Sequence, residues 1–358
     1  MTGGFACEIS TGRVLFEPGA RAQLADEAAR LKLNRLMVVC TPGHAAPAHE
    51  MAVALGDSLM DIHAHAAMHV PAPIAATAVQ RAGDLDADGC IAIGGGSAIG
   101  LGKVIAKETG VPLIAVPTTY AGSEMTPIWG LTDGGRKRTG RDARVRPRVV
   151  IYDPELTLGL PPAQSVTSAV NALAHAAEAL YAPDNSPLTD VIAAESAQAI
   201  VTALPQIVAA PCEVAARSRL LYGAWLAGVA LGSTTMSLHH QLCHVLGGTF
   251  DLPHAETHTA LLPHVLALNL EHAPRARERL QSALGAADPA THLFELIVGL
   301  GARMSLHELG MPSQGITTVI DQVLAVPYPN VTPVTREHLE TILSGALAGT
   351  PPRPHRCR

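Results

Sequence analysis

Four side chains in the second half of the chain have the types and spacing of a catalytic metal site. Asn171 and His175 lie four residues apart, which places both on one face of a helix. His240 and His254 follow further along the chain, on either side of a Gly-Gly pair. Three histidines and one carboxylate would form an ordinary site for a divalent catalytic metal. Because the fourth group here is a neutral amide, the same constellation can instead bind an anion without a metal.

Histidines are concentrated around the second pair of this constellation. Between positions 239 and 264 the chain holds six of its 17 histidines, in an apolar stretch interrupted by Gly and Pro. A lone histidine is more often structural than catalytic, but six so close together favour a site that binds a ligand or transfers protons. The six are His239, His240, His244, His254, His258 and His264.

A glycine-rich segment in the first half predicts a phosphate-binding loop. Gly94, Gly95, Gly96 and Ser97 follow an apolar run and open a helical stretch. Glycines let the backbone approach an anion, and the exposed N–H groups and the helix dipole stabilise its charge. The spacing is neither GxGxxG nor that of a nucleoside-triphosphate loop. A turn without a ligand is the alternative, but three consecutive glycines cost backbone entropy, which favours the loop as a cofactor site.

A second polar loop follows the next apolar run. Thr118, Thr119 and Ser123 carry hydroxyls that suit contacts to phosphate, ribose or carboxamide, and Tyr120 lies among them. Because both loops follow strand ends, they are expected at the same edge of the sheet, where open α/β folds bind cofactors. Taken alone, this loop is equally well explained as an ordinary Ser/Thr turn.

The residues at the end of the apolar run 36–40 bear on the choice between NADH and NADPH. In dinucleotide-binding folds a carboxylate at this place usually binds the adenosine ribose and repels a 2′-phosphate. The chain has Cys40, Thr41 and Pro42 there, and no carboxylate. We therefore expect Thr41 to face the cofactor and both NADH and NADPH to be used.

Alternating apolar and amphipathic segments predict the elements that position the two loops. Residues 36–40, 90–93 and 113–116 have the pattern of buried strands. Residues 45–56 and 75–83 have the composition of helices. Strand–helix alternation is typical of a mostly parallel sheet covered on both faces. Residues 1–158 are thus predicted to form an α/β dinucleotide-binding domain with a Rossmann-like parallel sheet.

The second half has helical spacing with Pro or Gly breaks and no clear strand. The double proline at 161–162 marks the expected boundary. Residues 159–358 are predicted to form an all-α domain that carries the substrate or metal site. Its expected helices are 163–181, 187–210, 213–231, 234–247, 255–270, 274–284, 289–308 and 335–348.

Composition excludes several classes of function. The chain has 358 residues, 48% of them hydrophobic, which fits two well-packed domains and not a disordered chain. Its net charge of −6 argues against nucleic acid or an anionic membrane as a partner. No CxxC pair, no visible signal peptide and no uninterrupted apolar run of membrane-spanning length are found. These features predict a reduced, cytoplasmic protein.

Over essentially its whole length the chain resembles the iron-containing (group III) alcohol dehydrogenases. The resemblance implies a dehydroquinate synthase-like fold, with an α/β dinucleotide-binding domain followed by an all-α domain. It also implies that the family's metal ligands fall on Asn171, His175, His240 and His254, the first of which is Asp in the family. The motifs that carry it are Gly94-Gly-Gly-Ser, Pro117-Thr-Thr, the segment with Ser168, His175 and Glu178, and the run from His240 through His254 to His264.

Within that family the chain is most similar to the maleylacetate reductases. This likeness implies reduction of the C=C bond of maleylacetate to 3-oxoadipate by NADH or NADPH, in the breakdown of aromatic compounds, by a homodimer. The segments that carry it are Pro117-Thr-Thr-Tyr-Ala-Gly-Ser-Glu-Met-Thr-Pro-Ile-Trp-Gly130, Thr139-Gly-Arg-Asp142, Tyr152-Asp-Pro-Glu-Leu-Thr157 and Asn171-Ala-Leu-Ala-His-Ala-Ala-Glu178, which includes the Asn.

Roles for the candidate residues follow from the chemistry of a small dicarboxylate enone. His244 and His254 are expected to donate protons, while His175, His240 and Asn171 hold a carboxylate. Loss of the anionic ligand is expected to weaken metal binding, so no metal is required. Seven basic side chains between 136 and 148 are mostly a solvated run. Lys137 and Arg138 are the two taken to attract the dianion, and Tyr120 is counted with the substrate contacts.

Two other functions stay open at this point. One is a metal-dependent alcohol dehydrogenase with Fe or Zn, against which Asn171 argues. The other is a non-catalytic nucleotide-binding sensor, which would have the cofactor loops without the histidine cluster.

Overall fold

The computed structural model describes residues 12–134 and 136–353, without the side chains of residues 136 and 137. Two compact units are present. An α/β unit runs to Leu160 and includes Cys212–Leu221, while a helical unit contains Pro161–Pro211 and the chain from Tyr222 onward. The sequence-based division, 1–158 and 159–358, does not separate Cys212–Leu221. That segment belongs with the α/β unit because Arg217 within it hydrogen-bonds to Tyr120 and Leu160.

The α/β unit contains a six-stranded sheet in which every pairing is parallel. The strands that the apolar runs predicted are present as β2 (Leu36–Val39), β4 (Gly89–Gly94) and β5 (Leu113–Pro117). The sheet also contains β1 (Arg13–Phe16), β3 (Leu59–His63) and β8 (Val149–Tyr152), in the order β1-β8-β5-β4-β2-β3.

Helices cover both faces of this sheet. Alternate residues of the central strands enter two different hydrophobic clusters, with Val38 and Ile91 on one face and Met37 and Ala92 on the other. The helices are α1 (Leu24–Arg30), α2 (Ala45–Ala52), α3 (Ala72–Asp84) and α4 (Gly96–Thr109). An antiparallel hairpin, β6 (Ile128–Asp133) and β7 (Arg136–Arg141), carries part of the basic run.

The helical unit is built around α5 (Pro162–Leu180), whose residues are almost all buried from Ser165 onward. The predicted helix over 289–308 ends at Gly299, and the helix over 315–325 was not predicted. The remaining helices of the chain are α6 (Pro187–Ala209), α7 (Val214–Ser233), α8 (Leu238–Phe250), α9 (His254–Asn269), α10 (Pro274–Leu284), α11 (Pro289–Gly299), α12 (Gly315–Ala325) and α13 (Arg336–Ala348).

One helix of the described residues, α6, is long and apolar enough to cross a membrane by length and composition. It packs against α5 and α10, and 44% of its apolar window is buried within the protein. A core helix of a globular protein passes the same test, so this is weak evidence for a membrane span.

Candidate active site

The two predicted cofactor loops start side by side. β4 and β5 pair in parallel with Gly94 opposite Pro117, and the Thr118 N–H donates to the Gly94 carbonyl at 3.1 Å. Both loops therefore leave the sheet at the carboxyl ends of neighbouring strands, the place where open α/β folds bind cofactors.

Backbone geometry explains the glycines in the first loop. Gly94 has a φ of 142°, which side chains rarely adopt, and α4 begins two residues later. A Cβ on Gly95 would lie 2.8 Å from Thr119 Cγ2, so the two loops touch there. Gly96 is exposed, and a Cβ on it would have no protein atom closer than Ala121 Cβ at 4.0 Å. The helix N-terminus is therefore open to an anion, with Ser97 in its first turn.

A buried lysine fixes the second loop. Lys103 of α4 is only 2% exposed, and its Nζ donates to Ser123 O at 2.5 Å, Thr126 Oγ1 at 2.9 Å and Ile128 O at 2.8 Å. Burial lowers the pKa of Lys103 to about 7, with the Glu124 carboxylate opposing the shift. The three acceptors match the three donors of an ammonium group, so the lysine ties the 123–128 segment to the first cofactor helix.

The other residues assigned to these loops differ in their surroundings. Thr118 is buried, and its Oγ1 has no hydrogen-bond partner, while Thr119 and Ser123 are half-buried. Thr41 is half-buried at the end of β2, with its Oγ1 3.1 Å from His44 Nδ1.

Tyr120 is placed differently from the expected substrate contact. Its side chain is fully buried, and its hydroxyl donates to Thr157 Oγ1 at 3.1 Å and accepts from Arg217 Nη1 at 3.0 Å. Both interactions stay within the α/β unit, so the Tyr120 side chain stabilises the loop after β5 from its buried side.

In the helical unit the expected Asn–His pair lies on the buried face of α5. Asn171 and His175 are 5% and 4% exposed. Asn171 Oδ1 and His175 Nδ1 have no hydrogen-bond partner. The His175 ring stacks on that of His240 from α8, with centroids 5.0 Å apart. Buried polar atoms without partners are uncommon in proteins and mark places where a ligand can bind.

A glutamate one turn after His175 orients His240. Glu178 is fully buried, and its Oε2 lies 2.5 Å from His240 Nδ1. His240 Nε2 is left buried without a hydrogen-bond partner. In the sequence, Glu178 stands out only as part of a motif. An acidic side chain on the same helical face as Asn171 and His175, inside an Ala-rich helix, was the available signal.

His258 lies at the centre of the histidine cluster, which we define as His175, His239, His240, His244, His254 and His258. Its ring is 4.4 Å from that of His254, 4.9 Å from His240 and 4.8 Å from His239. His244 and His254 are half-buried, whereas His258 is fully buried. Neither His239 nor His258 was assigned a role from the sequence, since spacing alone could not show that α8 and α9 bring them together.

Burial keeps the inner histidines neutral. Desolvation lowers the pKa of His175, His239 and His258 well below the usual range, and neighbouring histidines add to the shift. Neutral imidazoles offer one N–H donor and one lone pair each. The inner cluster can therefore hold an anion through N–H groups or a metal through lone pairs, while the half-buried His244 and His254 are better placed to exchange protons.

The family's divalent metal fits this donor set poorly. Its four positions carry a neutral amide and three imidazoles, and the nearby Glu178 carboxylate is engaged by His240 Nδ1 and two backbone N–H groups. A doubly charged ion in this buried place would lack an anionic ligand.

A second group of possible ligands is held together by hydrogen bonds. Among the described residues, His239, Cys243 and His258 have donor atoms within 4.8 Å of one another. His239 Nε2 lies 2.9 Å from His258 Nδ1 and 3.7 Å from Cys243 Sγ. Two nitrogens on one tetrahedral zinc lie roughly 3.3 Å apart, so the shorter spacing is that of a hydrogen bond.

The basic run contributes little that the structure can place. Arg138 is exposed on β7, in register with Leu131 of β6. Lys137 lies in the same strand, but its side chain is outside the described residues. The assignment of both residues to the substrate stays a prediction.

The chain is similar to known proteins over nearly its whole length. Residues 11–154 match the iron-containing alcohol dehydrogenase family, and residues 165–347 match the C-terminal domain of that family. A maleylacetate reductase of Sphingobium indicum is 51% identical over 95% of this chain and 96% of its own. One of Burkholderia cepacia is 49% identical over 97% and 99%. The crystal structure of maleylacetate reductase from Agrobacterium tumefaciens has a TM-score of 0.94 at 43% identity, covering 98% and 100%.

Proposed function

The chain belongs to the iron-containing alcohol dehydrogenase family, and we propose that it reduces the C=C bond of maleylacetate to give 3-oxoadipate. The observation that carries this proposal is a buried cluster of imidazoles with one amide, on a scaffold shared along its length with maleylacetate reductases. A nicotinamide cofactor supplies the hydride.

The reaction is a conjugate reduction of an enone. Hydride attacks the alkene carbon β to the ketone, and the electron pair of the double bond moves so that charge develops on the ketone oxygen. This enolate needs a hydrogen-bond donor. A general acid then delivers a proton to the carbon α to the ketone, which completes the addition of two hydrogens.

The histidine cluster can supply both roles. His244 and His254 are half-buried, so they can donate to the enolate or its carbon and be reprotonated from solvent. Asn171, His175 and His240 have unpartnered polar atoms that can hold a substrate carboxylate. The Asn171 amide can turn to present N–H₂ in place of Oδ1. Single His→Ala variants test each role, and near-normal kcat would remove that histidine from the mechanism.

The cofactor contacts are assigned to the α/β unit. Gly94, Gly95, Gly96 and Ser97 bind the pyrophosphate, and Thr118, Thr119 and Ser123 bind the nicotinamide half. Thr41 contacts the adenosine ribose. Because no carboxylate follows β2 at this place, NADH and NADPH are both used. Ratios of kcat/KM above about a hundredfold in favour of either cofactor, some 2.7 kcal/mol, would contradict this.

No metal is required for this chemistry. Asn171 takes the place of an anionic ligand, so the donors of the cluster stay available for the substrate. Prolonged dialysis against a chelator is expected to leave full activity. Loss of activity that Fe²⁺ or Zn²⁺ restores would refute the metal-free mechanism and favour a metal-dependent dehydrogenase with the ion held by three imidazoles.

Spectrophotometric oxidation of NADH is the most useful single experiment. Turnover with maleylacetate and none with simple alcohols or aldehydes is expected. No turnover with either would favour a nucleotide-binding sensor. The enzyme is proposed to act in the cytoplasm as a homodimer on a small dicarboxylate, with Lys137 and Arg138 attracting the dianion.

A further inference from the structure

Glu178 is a buried carboxylate whose two oxygens are both in use. Oε1 accepts the His239 N–H at 2.8 Å, and Oε2 accepts the Ser237 N–H at 3.1 Å. Oε2 also lies 2.5 Å from His240 Nδ1. All three contacts need an acceptor, which is the role of an ionised carboxylate.

The backbone donors belong to the start of α8. Ser237 is its N-cap, and His239 is its second residue. The first N–H groups of a helix lack partners within the helix, and a negative charge there interacts favourably with the helix dipole. Glu178 of α5 therefore stabilises the end of α8 that carries His240, and the same carboxylate fixes the orientation of the imidazole.

The contact also determines which nitrogen of His240 carries hydrogen. Because Oε2 accepts, His240 Nδ1 is the donor, and the unpartnered Nε2 is the atom left for a ligand. The groups around His240 are His175 from α5, His239 and His244 on its own helix, and His258 from α9. Within these described contacts Glu178 supplies the negative charge.

We infer that Glu178 is a positioning residue for the reduction: it fixes the His240 ring through Nδ1, so that Nε2 is the nitrogen presented to the ligand. The inference rests on the proposed function for its link to catalysis. The same logic governs histidine ligands and bases elsewhere, where a carboxylate on one ring nitrogen fixes the tautomer and strengthens the other. The placement of Nε2 then depends on a residue that never touches the substrate.

Glu178→Gln is the first test, since glutamine keeps the size and removes the charge. We expect kcat/KM for maleylacetate to fall about 10- to 100-fold, with KM for NADH unchanged. Glu178→Asp, which keeps the charge on a shorter arm, is expected to recover part of the activity.

Asp190→Asn is the matched control. Asp190 is a buried carboxylate near the start of α6, and its described bonds are to Asn185 and Arg275, neither of which belongs to the cluster. Its loss is expected to lower stability without changing kcat/KM for maleylacetate. A Glu178→Gln enzyme with unchanged kcat/KM would overturn the inference.

A measurement on the unaltered protein keeps the test independent of folding and of turnover. In ¹⁵N-histidine spectra, with His240 assigned by its absence in His240→Gln, we expect hydrogen on Nδ1. Hydrogen on Nε2 alone would overturn the inference even if every Glu178 variant fails to fold. If maleylacetate is not turned over at all, the proposed function fails, while the His240 tautomer still decides the role of Glu178.

Discussion

Asn171 has a buried Oδ1 without a hydrogen-bond partner, at the position where the family's metal site has Asp. Leaving such an atom unpaired costs roughly 1–3 kcal/mol. The cost is recovered when a ligand donates to the amide, and either end of the amide can serve. A carboxylate at this place would instead attract a cation and repel a dianion.

We therefore expect Asn171→Asp to gain metal binding and to lose activity toward maleylacetate. The variant should retain Zn²⁺ or Fe²⁺ after dialysis, because it restores an anionic ligand beside three imidazoles. Its kcat/KM for maleylacetate should fall at least about 10-fold, in line with repulsion worth some 1.4 kcal/mol. Metal content by mass spectrometry and NADH oxidation measure the two effects.

Asn171→Leu distinguishes the effect of the polar amide from that of side-chain size. It removes the amide at similar size, so it should lose reductase activity without gaining metal. Should Asn171→Asp remain metal-free and fully active, the amide would have no part in choosing between metal and anion.

Lys103 gives a pH-dependent prediction. Burial lowers its pKa to about 7, whereas an unfolded lysine titrates near pH 10.4. Between these values the unfolded chain binds the extra proton, so the free energy of unfolding rises with pH. Lys103→Met lacks this increase, and its destabilisation relative to the original protein should grow by about 1–2 kcal/mol between pH 7 and 8.5. Urea denaturation at the two pH values measures it.

An exposed lysine provides the comparison for Lys103. Lys32 is exposed just after the end of α1, and Lys32→Met should change stability equally at both pH values. A pH-independent effect of Lys103→Met would mean that the buried group keeps its proton throughout this range.

Among individual residues, the sequence identified candidate residue types more readily than the partners that they contact in the fold. Asn171, His175 and His240 were found from helical spacing and from residue chemistry. Glu178 and His258 acquire their roles from contacts between α5, α8 and α9, and such contacts have no signature in one sequence. Tyr120 shows the reverse case, because a polar residue in a cofactor loop was expected to face a ligand and instead bonds Arg217.

At the scale of elements, the loop between β4 and α4 can be tested one glycine at a time. A Cβ on Gly96 meets no protein atom within ordinary contact distance other than Ala121 at 4.0 Å. Gly96→Ala should therefore leave stability unchanged or slightly higher, since alanine favours helix. If a pyrophosphate fills this space, the Kd for NADH should rise about 10-fold or more. Thermal melting and fluorescence titration report the two quantities.

Two further glycine variants serve as comparisons for Gly96→Ala. Gly83→Ala in α3, where an added Cβ meets nothing within 4 Å, should leave melting unchanged or slightly higher and should not alter NADH binding. Gly95→Ala should reduce both, because its Cβ would collide with Thr119 at 2.8 Å. Tight NADH binding by Gly96→Ala would place the pyrophosphate elsewhere.

Element types were predictable where burial is complete. β2, β4 and β5 are buried along their whole length, so they read as continuous apolar runs. β3 is an edge strand of partly buried residues, including Asp61, and lacks that signal. The predicted helix over 289–308 was too long because Gly299 and Gly301 end α11, and Gly301 has a φ of 79°.

At the scale of the whole molecule, the order of the two units along the chain could be predicted, but not the segment that departs from it. Strand–helix alternation stops at the double proline, and the contacts divide the chain between Leu160 and Pro161. Most of Cys212–Leu221 is the start of α7, whose remainder lies in the helical unit. The Arg217 side chain, which donates to Leu160 O and Tyr120 Oη, connects this segment to the α/β unit.

The buried histidines make the stability of the helical unit sensitive to acid. His175, His239 and His258 have pKa values lowered by desolvation, whereas in the unfolded chain each titrates near 6.5. Their contribution is complete above that pH and is lost as the pH falls below it, because only the unfolded state then binds the protons. Unfolding at pH 5.5 should thus take up close to three protons at these groups, so the free energy of unfolding changes with a slope of about 4 kcal/mol per pH unit.

His258→Gln should reduce the uptake by about one proton, whereas His272→Gln, at an exposed site, should leave it unchanged. Potentiometry during guanidinium unfolding counts the protons, and equal uptake in all three proteins would mean that His258 is already charged in the folded cluster.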